Sequence, residues 1–349
     1  MEKKKISLKY IADRLNVSTA VISVVLNNRV GNIRVSEEVK KKIIALADDL
    51  NYRPNSLARS LKTGKTYTIG LMVSDISNHY YSKLARSVED AAGKYNYNVI
   101  FCSSDENAEK EASLIRLFRN RKVDGIILSG TQQNENLIQL LENEGYPLVL
   151  IDRDYARSRT PFVGLGNQNK YGAYKAVRHL IKNNFKKIAL ITALPYLRPM
   201  SFREEGYKKA LGDCNLSFSP NLKLEISYSD VYNSIKYKIE NLLDPGAKID
   251  AIFVLNNKLA LNCLQVLHDL GKAIPDDLGF ACFDDHEMFS FNKPEITAIN
   301  HSPAEVGKKA VELLLNEMEQ ISKTKIKEIV PAELIIRKSS IKTKKEFQI

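Results

Sequence analysis

From Tyr67 onward the chain alternates short aliphatic and β-branched runs with longer amphipathic stretches, and this rhythm constrains the fold more than any other feature. Runs at Thr68 to Val73, Asn98 to Cys102, Gly125 to Leu128 and Leu148 to Ile151 predict buried parallel strands, because a strand covered on both faces shows no polar alternation. Helical periodicity fills 81–95, 109–121 and 135–144 between them. The pattern restarts with strands at Lys187 to Thr192, Ala251 to Leu255 and Gly279 to Phe283, separated by helices near 171–182, 202–211, 231–243 and 258–270. Alternation of this kind buries its apolar residues as a parallel sheet with helices on both faces. The expectation is two doubly wound α/β lobes in succession, with any ligand at the carboxyl ends of the strands.

The first 65 residues differ in both charge and period. They hold 14 basic and 6 acidic side chains, so +8 of the formal +11 lies in under a fifth of the 349 residues. A surplus confined to one module is the footprint of a polyanionic partner, although a solubilising terminus would also carry one. In the module, Leu8, Ile11, Ala12 and Leu15 recur at helical spacing behind Ser7 as N-cap. After Asn16 and Val17, Ser18 caps a second helix, Thr19 to Leu26, with Val21, Ile22 and Val25 inward and Thr19, Ala20, Ser23 and Val24 outward. A third, 36–51, opens on Ser36 and Glu37-Glu38 and offers Val39, Ile43, Ile44, Ala47 and Leu50 to a shared core. Two short helices joined by a tight turn make a helix-turn-helix, whose second helix enters the DNA major groove.

Other classes find little support. Cys102, Cys214, Cys263 and Cys282 form no CxxC pair, which argues against a zinc site and a disulfide framework; three of them are expected as buried free thiols. No apolar run reaches the roughly 20 residues of a membrane helix, and no signal-peptide pattern opens the chain, so a cytoplasmic location without membrane contact is expected. There is no GxSxG elbow, P-loop or GxGxxG, so no enzyme, cofactor or metal is predicted.

The segments ISLKYIADRLNVSTAVISVVLNN and VSEEVKKKIIALADDLNYRPNSLARSLKTGKTYTIGLMVSDISN resemble the LacI/GalR family of bacterial transcription regulators from Ile6 to Asn78, and more loosely to about Arg337. The resemblance implies an N-terminal all-α helix-turn-helix domain (1–53), a hinge helix (54–65), a two-lobed α/β periplasmic-binding-protein-like effector core (66–341) and a basic tail (342–349). Lobe 1 is expected at about 66–165 and 299–322, lobe 2 at about 167–297 and 326–341, with crossings near Gly166, Thr297 and Thr324. Thr19 and Ala20 match the family's base-reading positions, and Ser18 and Ser23 match positions that touch phosphate. Val24 stands where Arg or His is common; it can pack on a thymine methyl, so an A·T-leaning half-site is expected there. The loop 28–33 is longer than usual, and Arg29 and Arg34 are either groove contacts or a solvated basic loop. Asn55 to Gly64 matches the hinge helix, too short to hold itself in water. Leu61 and Lys62 match its minor-groove wedge and that wedge's neighbour, and a Leu57–Leu61 core stripe is the alternative.

In the core, Asp75, Asn78, His79, Tyr80, Ser103, Asp105, Asp152 and Arg153 follow strands of lobe 1, where acids serve equally as caps or as ligand contacts. Arg203 in FREEGY and Asp284 in CFDD match the family's ligand-binding pair, with Asn256 beside them and Tyr80 or Phe283 placed to stack on a sugar face. Two departures, Asn167-Gln168 for Asp-Asn and Asn256-Asn257 for Asn-Asp, replace carboxylates by amides and raise the expectation of a negatively charged effector. The implied partners are a pseudo-palindromic DNA operator, a small-molecule effector of carbohydrate type and a second copy of the chain. Lys338 to Ile349 lacks leucine heptads, so no tetramerising coiled coil is expected. The implied function is repression controlled by the effector, with inducer and co-repressor both open. A soluble sugar-binding protein is the rival, and it leaves residues 1–65 without a role.

Overall fold

The structure is a computed structural model that describes residues 7–26, 34–52, 60, 63–243, 249–319 and 326–342. The chain divides into two compact units, Met1–Thr66 and Tyr67–Ile349. In the first, α1 (Leu8–Leu15), α2 (Thr19–Leu26) and α3 (Glu37–Asp49) enclose Ile11, Ala12, Ile22, Ile43 and Ala47. Ser7, Ser18 and Ser36 accept from the amides of Tyr10, Val21 and Val39 at 3.2, 3.3 and 3.4 Å, so each helix starts on a serine. Asn16 ends α1 in the left-handed region (φ 50°), which makes the tight turn. Ile44, expected in this core, is 48% exposed. It sits one residue off the Val39–Ile43–Leu46–Ala47–Leu50 stripe, about 100° round the helix.

The second unit holds two six-stranded sheets. In chain order its elements are β1 (Thr68–Val73), α4 (His79–Gly93), β2 (Asn98–Ser103), α5 (Ala108–Asn120), β3 (Gly125–Leu128), α6 (Glu135–Asn143), β4 (Leu148–Ile151), β5 (Phe162–Gly164), α7 (Gln168–Lys182), β6 (Ile188–Thr192), α8 (Arg198–Gly212), β7 (Lys223–Glu225), α9 (Val231–Leu243), β8 (Ala251–Val254), α10 (Asn257–Asp269), β9 (Gly279–Phe283), α11 (Glu287–Phe291), β10 (Thr297–Asn300), α12 (Pro303–Met318), β11 (Lys327–Ile329) and β12 (Glu333–Ile335). Lobe 1 is ordered β11-β5-β4-β3-β1-β2 and lobe 2 β12-β10-β9-β8-β6-β7. Every pair is parallel except β10–β12. Alternate residues of β1 serve opposite faces: Ile69 and Leu71 pack under α4 and α12, whereas Met72 packs with Ile115 and Phe118 of α5. At Gly70 a Cβ would lie 2.7 Å from the Phe118 ring, so helix α5 can approach the sheet only over a glycine.

Strand pairing moves two of the expected crossings. Thr297 to Asn300 belong to β10 of lobe 2, so the second crossing lies at 301–302 rather than near Thr297. Lys327 to Ile329 pair with β5 of lobe 1, so the third lies at 330–332 rather than near Thr324. Pro331 stands between buried Val330 and Ala332 and has no amide to continue a ladder, which makes it the natural break. Of the cysteines only Cys263 and Cys282 are buried; Cys102 and Cys214 are partly exposed. Among the described residues no helix is long and apolar enough to cross a membrane.

Candidate functional site

In the helical module Ser18, Thr19 and Ala20 are exposed at the start of α2, and Arg34 is exposed beyond it. The Ser18 oxygen is occupied as a cap, and its hydroxyl proton remains able to donate to a phosphate. Ser23 and Val24 are half-buried, so Val24 offers one apolar edge rather than a whole side chain. Asn55, Leu61, Lys62 and the loop 28–33 lie outside the described residues.

In the core, the carboxyl ends of both sheets face a cleft whose lining, drawn from both lobes, is mostly polar and charged. Asp152 after β4 and Asp284 after β9 both hold left-handed backbones, φ 62° and 66°, and each is engaged by a buried arginine. Backbones of this kind persist where the surroundings enforce them. In lobe 1, Arg153 donates to both Glu106 oxygens at 2.6 and 2.7 Å and to the Gly130 carbonyl at 3.1 Å, while Tyr81 Oη donates to Asp152 at 2.8 Å. In lobe 2, Arg203 donates from Nε to Asn169 at 2.8 Å and from one terminal nitrogen to the Leu255 carbonyl at 2.6 Å and Asp284 at 3.1 Å. Its guanidinium lies 3.7 Å over the Phe283 ring. His301 Nε2 is 3.0 Å from the other Asp284 oxygen, and Tyr80 packs against the His301 ring.

The electrostatics follow from these pairs. Burial alone would raise the Asp284 carboxyl, but Arg203 and His301 outweigh it and hold Asp284 below the ordinary range. Burial pushes the Tyr228 phenol up to about 12, aided by nearby Glu106, so at neutral pH it is a hydroxyl donor and acceptor. The charged side chains lining the cleft are Glu106, Asp152 and Asp284 against Arg153 and Arg203, and both guanidinium groups are already paired.

Of the effector residues expected from sequence, Tyr80, Asp152, Arg203, Asn256 and Asp284 line this cleft, whereas Asp75, His79 and Ser103 do not. Asp75 bridges the lobes to Lys258 at 3.1 Å; burial opposes its ionisation, and bonds from Ser77 and Lys258 pull its pKa below normal. His79 stacks on His286 of lobe 2 with centroids 4.2 Å apart. Ser103 Oγ accepts from the Ile76 amide at 3.1 Å and shapes a turn. Phe283 is fully buried beneath Arg203, so it supports the arginine and offers no face to a sugar. Asn167 makes no side-chain cap bond, and Asn256 accepts from the Leu259 amide at 2.8 Å to start α10. Asn257 is buried and donates across the cleft to Asn78 at 3.3 Å. Glu106, Tyr228 and His301 were missed; Glu106 and His301 each sit within three residues of a strand's carboxyl end, a position that would have found them.

A helix-turn-helix module and a two-lobed core with a polar cleft between its lobes define a ligand-controlled transcription regulator. The chain belongs to the lacI family of bacterial regulatory proteins, whose DNA-binding region matches residues 7–55, followed by a periplasmic binding protein-like domain over 177–340. The HTH-type transcriptional regulator RegA of Clostridium saccharobutylicum is 30% identical over 341 residues, 96% of this chain and 99% of that protein. A LacI family regulator from Enterococcus faecium, with bound ribose, superposes with a TM-score of 0.69 at 27% identity, over 79% of this chain and all of that one. The lac repressor dimer bound to operator and an anti-inducer reaches 0.81 at 21% identity, over 97% of this chain and 100% of that one, and so shares the fold. The protein is a sequence-specific DNA-binding transcriptional regulator whose operator affinity is set by a small metabolite.

Proposed function

We propose that the protein is a homodimeric cytoplasmic repressor whose effector is an uncharged, hydroxyl-rich molecule of sugar type. The charge balance of the cleft carries this reading: three carboxylates face two arginines, and both arginines are already neutralised within the chain. A phosphate or carboxylate entering there would displace a paired carboxylate and leave it buried, a cost of roughly 3–5 kcal/mol. Hydroxyls instead add to the existing pairs, accepting from Arg203 and donating to Asp284 or Asp152. The charge of the lining thus speaks against the anionic effector that the Asn167 and Asn257 departures raised, since neither amide frees a guanidinium. The ribose-bound relative supports the same class.

Ser18, Thr19, Ala20, Ser23, Val24 and Arg34 are the proposed operator contacts of the module, with Asn55, Leu61 and Lys62 in the hinge. Dimerisation is favoured by apolar side chains left in solvent: Ile100 and Phe101 on edge strand β2, Leu117 on α5, and Met288 and Phe291 of lobe 2, the last 81% exposed. Calorimetry tests the ligand class. Titration with D-ribose, D-glucose and cellobiose is expected to show saturable binding by at least one, lost in Arg203→Met; binding of ribose 5-phosphate with none of the neutral sugars would defeat the proposal.

A further inference from the structure

Helix α8, which carries Arg203 into the cleft, begins without a cap from its own lobe. Its N-cap residue is Leu197, an aliphatic side chain that accepts nothing, although the first amides of any helix lack partners inside it. The Arg198 amide is received instead by lobe 1, donating to Oε1 of Gln132 at 2.8 Å. The other end of the same carboxamide turns back, Nε2 donating to the Asp154 carbonyl at 2.6 Å. Both polar ends of Gln132 are therefore engaged, one on each side of the cleft.

Lobe 1 holds Gln132 ready for this. Its backbone is left-handed, φ 62°, and its amide donates to Tyr155 Oη at 3.2 Å. Thr131 before it is pinned by the fully buried Glu111, which accepts from the Thr131 amide and hydroxyl at 2.5 and 3.1 Å. Gly130 cannot carry a side chain, because a Cβ would fall 2.3 Å from Tyr155 Oη. Beside the carboxamide, Arg198 pairs with Asp154 at 3.3 Å and Gln133 donates to Tyr196 Oη at 3.3 Å, so the contact is a seam between the lobes.

We infer that Gln132 is a positioning residue for lobe closure: lobe 1 supplies the N-terminal cap of the helix that presents Arg203, and the first turn of α8 is complete only while the lobes are together. The inference rests on the reading that a ligand is held between the lobes. Closure then encloses the ligand and at the same time fixes the first turn of α8, which bears Leu197, Pro199 and Met200 and leads into the second turn with Arg203; all four line the cleft. Ligand affinity and the open-to-closed balance are coupled through one side chain.

Hydrogen–deuterium exchange on the ligand-free full chain tests it. Loss of a cap corresponds to about 2- to 30-fold in an equilibrium constant, so Gln132→Ala is expected to speed exchange at the start of α8 by that factor and leave α1 to α3 unchanged. Gln132→Glu keeps the acceptor and places a negative charge at a helix N-terminus while losing the donated bond to Asp154, and it is expected to restore protection. Unchanged exchange in Gln132→Ala would overturn the inference, as would a Gln132→Glu protein that exchanges as fast as Gln132→Ala, since Gln132 would then only brace its own loop. No sugar is present in this experiment, so a wrong ligand class would show in the calorimetry and leave the exchange difference intact.

Discussion

Replacing Arg203 by methionine tests the electrostatics of the cleft most severely. The side chain is 3% exposed and its guanidinium joins Asn169, the Leu255 carbonyl and Asp284 above the Phe283 ring. Methionine keeps most of the volume against Phe283, so the packing loss is small and the electrostatic loss dominates. Asp284 would be left buried with His301 as its remaining partner, and breaking a buried pair from one side costs roughly 3–5 kcal/mol. For a unit of this size that lowers the melting temperature by roughly 6–20 °C. The pH dependence carries a second signature. In the parent, Asp284 titrates below its unfolded value, so its stabilisation is present above about pH 4 and is lost as pH falls through the lower folded value. In the variant, loss of Arg203 leaves burial opposed by His301 alone and raises the folded pKa above the parent's, so the penalty is full at neutral pH and fades as the carboxyl protonates. The gap between the two proteins, followed by calorimetric melting from neutral pH towards pH 4, is therefore expected to narrow. A variant that melts within about 2 °C of the parent at neutral pH, or a gap that widens on acidification, would refute the reasoning.

Three further outcomes are expected. Gly206→Ala would set a Cβ 2.2 Å from the Lys170 carbonyl where α8 crosses α7, and overpacking against backbone costs about 1–3 kcal/mol or more, readable as a lower urea midpoint. Ser36→Ala removes the cap of α3 and is expected to cost about 0.5–2 kcal/mol in the helical module alone, so operator binding weakens with temperature while the melting of the core is unchanged. Leu61→Ala is expected to reduce DNA bending in a gel-based phasing assay and to leave sugar affinity intact; undiminished bending would remove Leu61 from the wedge position.

The long strands and the helices were legible because their signals are strong. Most buried parallel runs of four to six residues and amphipathic stripes of eight or more give a clear signal, and the sequence marks Ser7 and Ser18 as caps; Ser36, expected inside the first turn of the third helix, caps it instead. What escaped were the three-residue strands β5, β7, β11 and β12, too short to show a period, the four-residue β10, whose Thr297 was read as a crossing, and helices α11 and α12, the latter despite its Ser302-Pro303 start. In the site, Arg203 and Asp284 were legible because a motif surrounds them. Glu106 lies three residues past β2, but that strand-end position marks Ser103 and Asp105 equally, and the partner that turns Glu106 inward, Arg153, is 47 residues away. Asp75, His79 and Ser103 follow β1 and β2 as a cleft residue should, yet their neighbours are a lysine, a second histidine and a backbone amide. Position along the chain locates the rim of a cleft, while pairing decides which side chains turn inward.

The most direct test of ligand control is reciprocity. A duplex selected from random DNA by the full chain is titrated by fluorescence anisotropy with and without the neutral sugar found by calorimetry, and the sugar is titrated with and without the duplex. Linkage requires the two dissociation constants to shift by the same factor, about 5- to 150-fold for a typical coupling, in whichever direction the sugar acts. Equal shifts that vanish together in Arg203→Met are the predicted result. A sugar that binds the core while leaving operator affinity unchanged would contradict the account.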